Sequence, residues 1–342
     1  MGIWSAIFKS RAQDWIFQKL DPAQVVRGPA TPVVEQPASV EPDKHYLTVR
    51  LLSMRLVNVR EGLTRLYGAV HSWASLPRLG SEPAQFNALV SPAQLRGVDA
   101  KRLDRVVQVN QTLFGPVPFR GGPLELEIAL FSIESQDLTE PFLSLLESLS
   151  GLAGVSYVAK ALPFAEPLKL GIGLLTGRGG DASVLEVGFA AEQWVPAPGV
   201  WVNMRATAQQ APIKDLRVEG DDYKLTLRGQ PVLDFPYLII EVTADTKRPT
   251  WFEVPELRDS YNALRDLVRR GTVQEAQDAL AVFRRTALTC SDLLFDDARS
   301  LVAKVQQETQ EVLGPATPGS RGFEREFAEP TMRPLSTIRL YD

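Results

Sequence analysis

The sequence is poor in the residues that do chemistry: one cysteine, Cys290, and two histidines, His45 and His71, in 342 residues. A single thiol excludes an intramolecular disulfide and argues against a secreted disulfide scaffold. Neither histidine has another His or Cys near it in sequence, which excludes a zinc site of the usual ligand spacing. Long apolar runs are missing too. No stretch reaches the roughly 18 to 20 uncharged apolar residues needed to span a bilayer. Lys9, Arg11 and Asp14 interrupt the first twenty residues, where a signal peptide would need an unbroken apolar core. Ala6 stands where a myristoylation motif requires Ser or Thr. Nor is there an excess of one charge. With 37 basic and 41 acidic residues the net charge is -4, which gives no overall attraction for a phosphate backbone, so dedicated nucleic-acid binding is set aside. These absences predict a cytoplasmic protein with no cofactor and no metal.

What is present is enough to fold. Hydrophobic residues make up 44% and charged residues 23% of the chain, values ordinary for globular proteins and sufficient for a substantial core. Residues 1–20 read as an amphipathic N-terminal helix, with Ile3, Trp4, Ile7, Phe8 and Trp15 on one side. Arg11 and Asp14 fall inside that stripe, while Phe17 and Leu20 lie outside it, which weakens a lipid-facing reading because interfacial helices segregate their faces. Residues 21–44 carry Pro22, Pro29, Pro32, Pro37 and Pro42 and read as an extended, semi-rigid linker.

The region 45–250 reads as β. Leu124, Leu126, Ile128 and Leu130 alternate with Glu125, Glu127 and Ala129, the period of a strand with one buried and one largely solvated face. Further strands are expected over Tyr46 to Asn58, Val184 to Phe189, Val200 to Arg205, Tyr223 to Arg228 and Tyr237 to Val242, separated by Gly, Pro and Asp turn signals. Strands without regularly interspersed helices favour an antiparallel sandwich over a doubly wound parallel sheet. A helical insertion is expected at about 137–176, capped by Asp137 with Glu140 and continuing into a Gly-rich stretch at 148–177.

Over 251–313 the pattern turns helical. Leu257, Tyr261, Leu264, Leu267 and Val268 form one stripe, and Gly271 is placed to end that helix in the left-handed conformation. Thr272 with Glu275 is a capping box for the next helix. A third helix runs from about Ser291 to a stop at Gly314-Pro315. The stretch 314–342 reads as a flexible tail whose last residues, Ser336 to Asp342, alternate like a strand, suited to pair with this chain's own sheet or a partner's sheet edge. The fold class is therefore α+β: an antiparallel β-sandwich-like body with an inserted helical segment, a C-terminal helical hairpin and one longer helix.

Catalytic motifs are wanting. A Cys–His dyad would have to use Cys290 with His71 or His45, and the sequence around Cys290 lacks the local signatures of thiol hydrolases. Asp221, Asp222, Asp234 and Asp245 are turn residues without a calcium-loop pattern. Gly177-Arg178-Gly179-Gly180 lacks the Lys-Ser/Thr and helix of a phosphate loop and reads as a turn. The loop Gly115 to Gly122, carrying Phe119, reads as a packed β connection, with a rigid recognition loop as its alternative.

The function expected is non-enzymatic: protein–protein interaction or assembly through tethered ends, with a protein partner or self-association. Its partner-binding candidates are Ile3, Trp4, Ile7, Phe8, Trp15, Ile338, Leu340 and Tyr341. The alternatives are a membrane-acting effector using the aromatic N-terminal helix with the 148–177 segment, and a Cys–His hydrolase.

Overall fold

The segment Tyr237-Leu238-Ile239-Ile240-Glu241-Val242 is apolar at nearly every position, which in a strand means burial on both faces rather than one. The computed structural model, which describes residues 15–29, 36–57, 60–61, 64–77, 83–90, 107–134, 183–314 and 331–341, puts this segment in the middle of a layered β body. Chain contacts divide the protein into two units, Met1–Pro42 with Tyr46–Asp245, and Asp43–His45 with Thr246–Asp342.

In the first unit the strands are, in chain order, β1 (Ile16–Lys19), β2 (Val25–Val26), β3 (Tyr46–Arg55), β4 (Arg60–Glu61), β5 (Thr64–Leu76), β6 (Ala84–Val90) and β7 (Val107–Pro118). They continue with β8 (Leu124–Glu134), β9 (Ser183–Trp194), β10 (Gly199–Met204), β11 (Leu216–Glu219), β12 (Lys224–Leu227), β13 (Gln230–Pro231) and β14 (Tyr237–Asp245). They build three sheets, ordered β1-β10-β14-β3-β7, β4-β5-β8-β9 with β6 paired to β5, and β13-β12-β11-β2. Every pairing is antiparallel except β2 with β11.

The sheet containing β14 is the central layer. From one face Leu47, Val49, Leu51, Leu238, Ile240 and Val242 meet Val70, Ala74, Leu126, Ile128, Leu130 and Val187 of the β5-β8-β9 sheet. From the other face Val200, Val202, Met204, Tyr237 and Ile239 meet Leu216, Val218, Tyr223 and Leu225 of the smallest sheet. Polar bonds join the same layers: the Ser53 hydroxyl donates to the Tyr223 carbonyl at 2.8 Å, and the Leu225 N–H donates to the Tyr237 hydroxyl at 3.2 Å. Burial pushes the Tyr237 hydroxyl up to about 12.

Several expectations need correcting. Glu127 and Ala129 are buried, so the second face of β8 is covered as well as the first. Residues 16–19 are an edge strand and not the end of a helix, because their alternation places Ile16 in one core and Phe17 against the other. The segment 21–44 is not a free linker where it is described. Gln24 Nε2 donates to the carbonyls of Ile213 and Leu216, both at 2.7 Å, Arg27 pairs with the buried Glu241, and Gln36 Oε1 accepts from Ala244 N–H at 2.8 Å. Gly115 to Pro118, by contrast, belong to β7 and Phe119 is buried, in keeping with the packed β connection expected there. The expected insertion at 137–176, the 148–177 segment and the Gly177–Gly180 turn lie outside the described residues.

The second unit holds helices α1 (Pro255–Arg270), α2 (Val273–Thr289) and α3 (Phe295–Leu313). Leu257, Tyr261 and Leu264 of α1 share a buried interior with Phe283 and Ala287 of α2 and Leu301 and Val305 of α3. Tyr261 and Phe283 meet edge to face, with centroids 5.8 Å apart. The Thr272–Glu275 capping box forms as the sequence predicts. Gly271 ends α1 with φ -94°, an extended and not a left-handed conformation.

Two substitutions test this layering. Gly115 has φ +94°, and an added Cβ would fall 2.3 Å from the Leu47 carbonyl oxygen, so Gly115→Ala is expected to cost more than about 2 kcal/mol in urea denaturation. Tyr237→Phe removes the acceptor for the buried Leu225 N–H and is expected to cost about 1–2 kcal/mol by the same measurement.

Candidate functional site

The residues singled out in the sequence go to three places. Ile3, Trp4, Ile7 and Phe8 lie outside the described residues. Trp15 is half-buried at the rim of the first unit's main core. Ile338 and Leu340 are buried within the second unit, and Tyr341 is half-buried there.

The tail holding those last three residues is neither a strand nor a loose end where it is described. Leu335–Thr337 form a single 3-10 turn, and the segment is fastened residue by residue. The Tyr261 hydroxyl donates to the Arg333 carbonyl at 2.7 Å, and the buried Glu308 carboxylate accepts from the Arg333 backbone and guanidinium. Lys304 Nζ donates to the Arg339 carbonyl, and Met332, Leu335, Ile338 and Leu340 fill the apolar gaps between these bonds. The Tyr341 hydroxyl accepts from Arg248 N–H at 2.9 Å and donates to Asp297 at 2.6 Å. The physical reason that strand-like alternation failed is that Ile338 and Leu340 found a helical surface to cover, and the intervening polar residues face water.

Beside Tyr341 sits a deeply buried ion pair. Arg248 is 1% exposed and its guanidinium donates to the carbonyl and carboxylate of the fully buried Asp292, at 3.0 and 3.2 Å. The pair ties the entry of the helical unit to the turn between α2 and α3. Cys290 lies two residues from Asp292, and burial, with the nearby Asp292 carboxylate adding to it, pushes its thiol up to about 12. In the first unit His71, on β5, is buried and held down at about 4 by desolvation. A thiolate–imidazolium couple requires the opposite: a thiol lowered and a histidine raised by each other's charge. These two groups are each kept neutral by their surroundings, so neither carries the activation that a Cys290–His71 couple requires.

Of the acidic residues weighed for calcium, Asp221, Asp222 and Asp234 lie in turns or bends, and Asp245 ends β14. Asp222 pairs with Lys224, Asp245 accepts from the Thr243 hydroxyl, and among the described residues no three His, Cys, Asp or Glu side chains come together to hold a metal. Among the described residues no helix is long and apolar enough to cross a membrane.

One constellation stands out that the sequence did not reveal. Where β1, β9 and β10 meet, Phe17 stacks on Phe189 with centroids 3.6 Å apart and on Trp201 at 5.0 Å, and Trp194 meets Trp201 edge-on at 5.6 Å. Trp201 Nε1 donates to the Ala197 carbonyl at 3.0 Å, fixing the β9–β10 connection, on which Val195 is 73% exposed. Phe17, Phe189, Trp201 and Trp15 remain half-buried, so they leave aromatic surface accessible while packing against the core. Comparison with protein-family models, with curated proteins and with solved structures finds no match.

Two measurements follow from the buried groups. Because the folded protein favours neutral His71, its stabilising contribution is complete above the ordinary histidine value of 6.5 and is lost as pH falls towards about 4. Across that window the first unit is expected to lose on the order of 3 kcal/mol in denaturation experiments, and His71→Phe should flatten the profile. Asp292→Ala strands Arg248 in the interior and is expected to cost about 3–5 kcal/mol, read as helicity lost in urea, while Arg248→Met with Asp292→Leu should recover most of it.

Proposed function

We propose that this chain is a non-enzymatic binding protein of a reducing compartment such as the cytoplasm, engaging a protein partner or further copies of itself through its N-terminal segment. The observation that carries this reading is the aromatic rim: Phe17, Phe189 and Trp201 stack together, half-buried, and Trp15, half-buried and immediately before β1, packs against the same core. Aromatic side chains offer large contact area at small conformational cost, and they are the residues most enriched at the energetic centres of interfaces. Val195 extends the same rim with an exposed apolar side chain on a connection stiffened by Pro196 and Pro198. The neutral, desolvated states of Cys290 and His71 add support by weakening the hydrolytic alternative.

Within this reading the two ends of the chain are not equivalent. Ile338 and Leu340 are engaged inside their own unit, so docking through them would first require them to leave it, whereas the N-terminal rim is already partly open.

Light scattering on the 37.8 kDa chain, on a form lacking residues 1–14 and on Trp15→Ala tests this, together with identification of proteins that co-purify with each. The truncation and the substitution should each reduce the oligomer mass or remove co-purifying proteins, with the fold intact by circular dichroism. Identical masses and identical co-purifying sets for all three forms would end the proposal.

A further inference from the structure

Among the described residues strand β1 is held by a single neighbour, β10, in the register Ile16↔Met204, Phe17↔Asn203, Gln18↔Val202 and Lys19↔Trp201. Leu20 N–H donates to the Val200 carbonyl at 2.8 Å, which sets the phase of the ladder. Gln18/Val202 and Ile16/Met204 are therefore the hydrogen-bonded pairs, and Phe17/Asn203 is one of the pairs between them, where opposed side chains approach most closely.

Phe17 thus lies directly over Asn203. Asn203 is fully buried, and among the described residues neither its amide oxygen nor its amide nitrogen has a hydrogen-bond partner. Trp194 Nε1, in the same aromatic cluster, is likewise buried without one among the described residues. Closing β1 onto the sheet gains the burial of Ile16 and Phe17 and the ladder bonds, but it does so over polar groups that have given up water and have no hydrogen-bond partner among the described residues. An apolar residue at position 203 would close the same edge without that penalty.

We propose that β1 is a releasable strand, and that Asn203 is the residue that keeps it so: opening returns the amide and the Trp194 indole to water and bares the β10 edge, without unfolding the body. The strand stays tethered on release. Just beyond it Gln24 remains bonded to Ile213 and Leu216, and Arg27 to Glu241, so the hinge falls at Leu20 and Asp21. Opening is then a sub-global event, faster than unfolding of the central layer.

Hydrogen exchange of the full chain tests this at the amides of Ile16, Gln18, Val202 and Met204, with those of Leu238 and Ile240 in β14 as the reference. In the unsubstituted protein the first set should exchange at least about 10-fold faster than the second. Asn203→Leu should slow the first set about 10-fold or more relative to that reference and raise the melting temperature. Equal rates for the two sets in the unsubstituted protein would overturn the proposal. So would faster β1 exchange or a lower melting temperature in Asn203→Leu, since either would mean the amide is satisfied by a bound molecule and not merely trapped. As a check that does not depend on how leucine packs, the thiol of Asn203→Cys should be alkylated by iodoacetamide in native buffer at the β1 opening rate; alkylation only under unfolding conditions would count against release.

Discussion

Everything in the β body answers to one constraint, that the central sheet is apolar on both faces and neither face can be left to water. Along β14, Leu238, Ile240 and Val242 belong to one core, Tyr237 and Ile239 to the other. At about 25 cal/mol per Å² of apolar surface, leaving either face exposed would forfeit more than a domain's net stability. The chain therefore supplies two covers of different size: a broad sheet of long strands, and a small one of short strands closed by β2. The small cover explains why the segment after β1 is bolted down. Gln24 reaches across to the loop and strand at Ile213 and Leu216, and Arg27 neutralises Glu241, the one carboxylate in the middle of β14.

The helical unit is organised by a different kind of constraint. A buried ion pair such as Arg248–Asp292 adds little net stability compared with well-packed apolar residues, because two charges must first be dehydrated. What it does is penalise every other arrangement of the turn that carries Asp292, since any of them would strand a charge. Tyr341 uses the backbone N–H of the same arginine, so the tail is referred to the same fixed point. Met332, Leu335, Ile338 and Leu340, from the described end of a tail that reads as flexible, are thereby part of the interior.

How much of this was readable depended on whether the pattern was local. The Thr272–Glu275 cap and the alternation of Leu124 to Leu130 lie within a few residues of each other, and both elements formed where expected. β5 was not anticipated, because His71, Ser72 and Ser75 sit among Ala69, Val70 and Ala74 with both faces buried, so no alternation of polar and apolar residues marks it. Ile16 to Lys19 read as the end of a helix whose apolar stripe is carried by Ile3, Trp4, Ile7, Phe8 and Trp15, and only the pairing with β10, distant in sequence, makes them a strand. The aromatic rim was legible only at Trp15. Phe17, Phe189 and Trp201 are far apart in sequence, and only the meeting of β1, β9 and β10 makes them neighbours. Asn203 carried no signal at all: a polar residue between Val202 and Met204 looks like the solvated face of a strand.

The order of strands in the central layer also has a consequence for how the protein is made. β3 needs β14 beside it, yet the ribosome must synthesise nearly the whole β body between the two. At roughly 5–20 residues per second that delay is on the order of ten to forty seconds. Throughout it, the nascent chain carries a sticky β3 with half its backbone unmatched, the condition in which strands find the wrong neighbour. Pairing of β3 with β14 is therefore a late step of synthesis, and the layer centred on them can close only after the chain has reached Asp245.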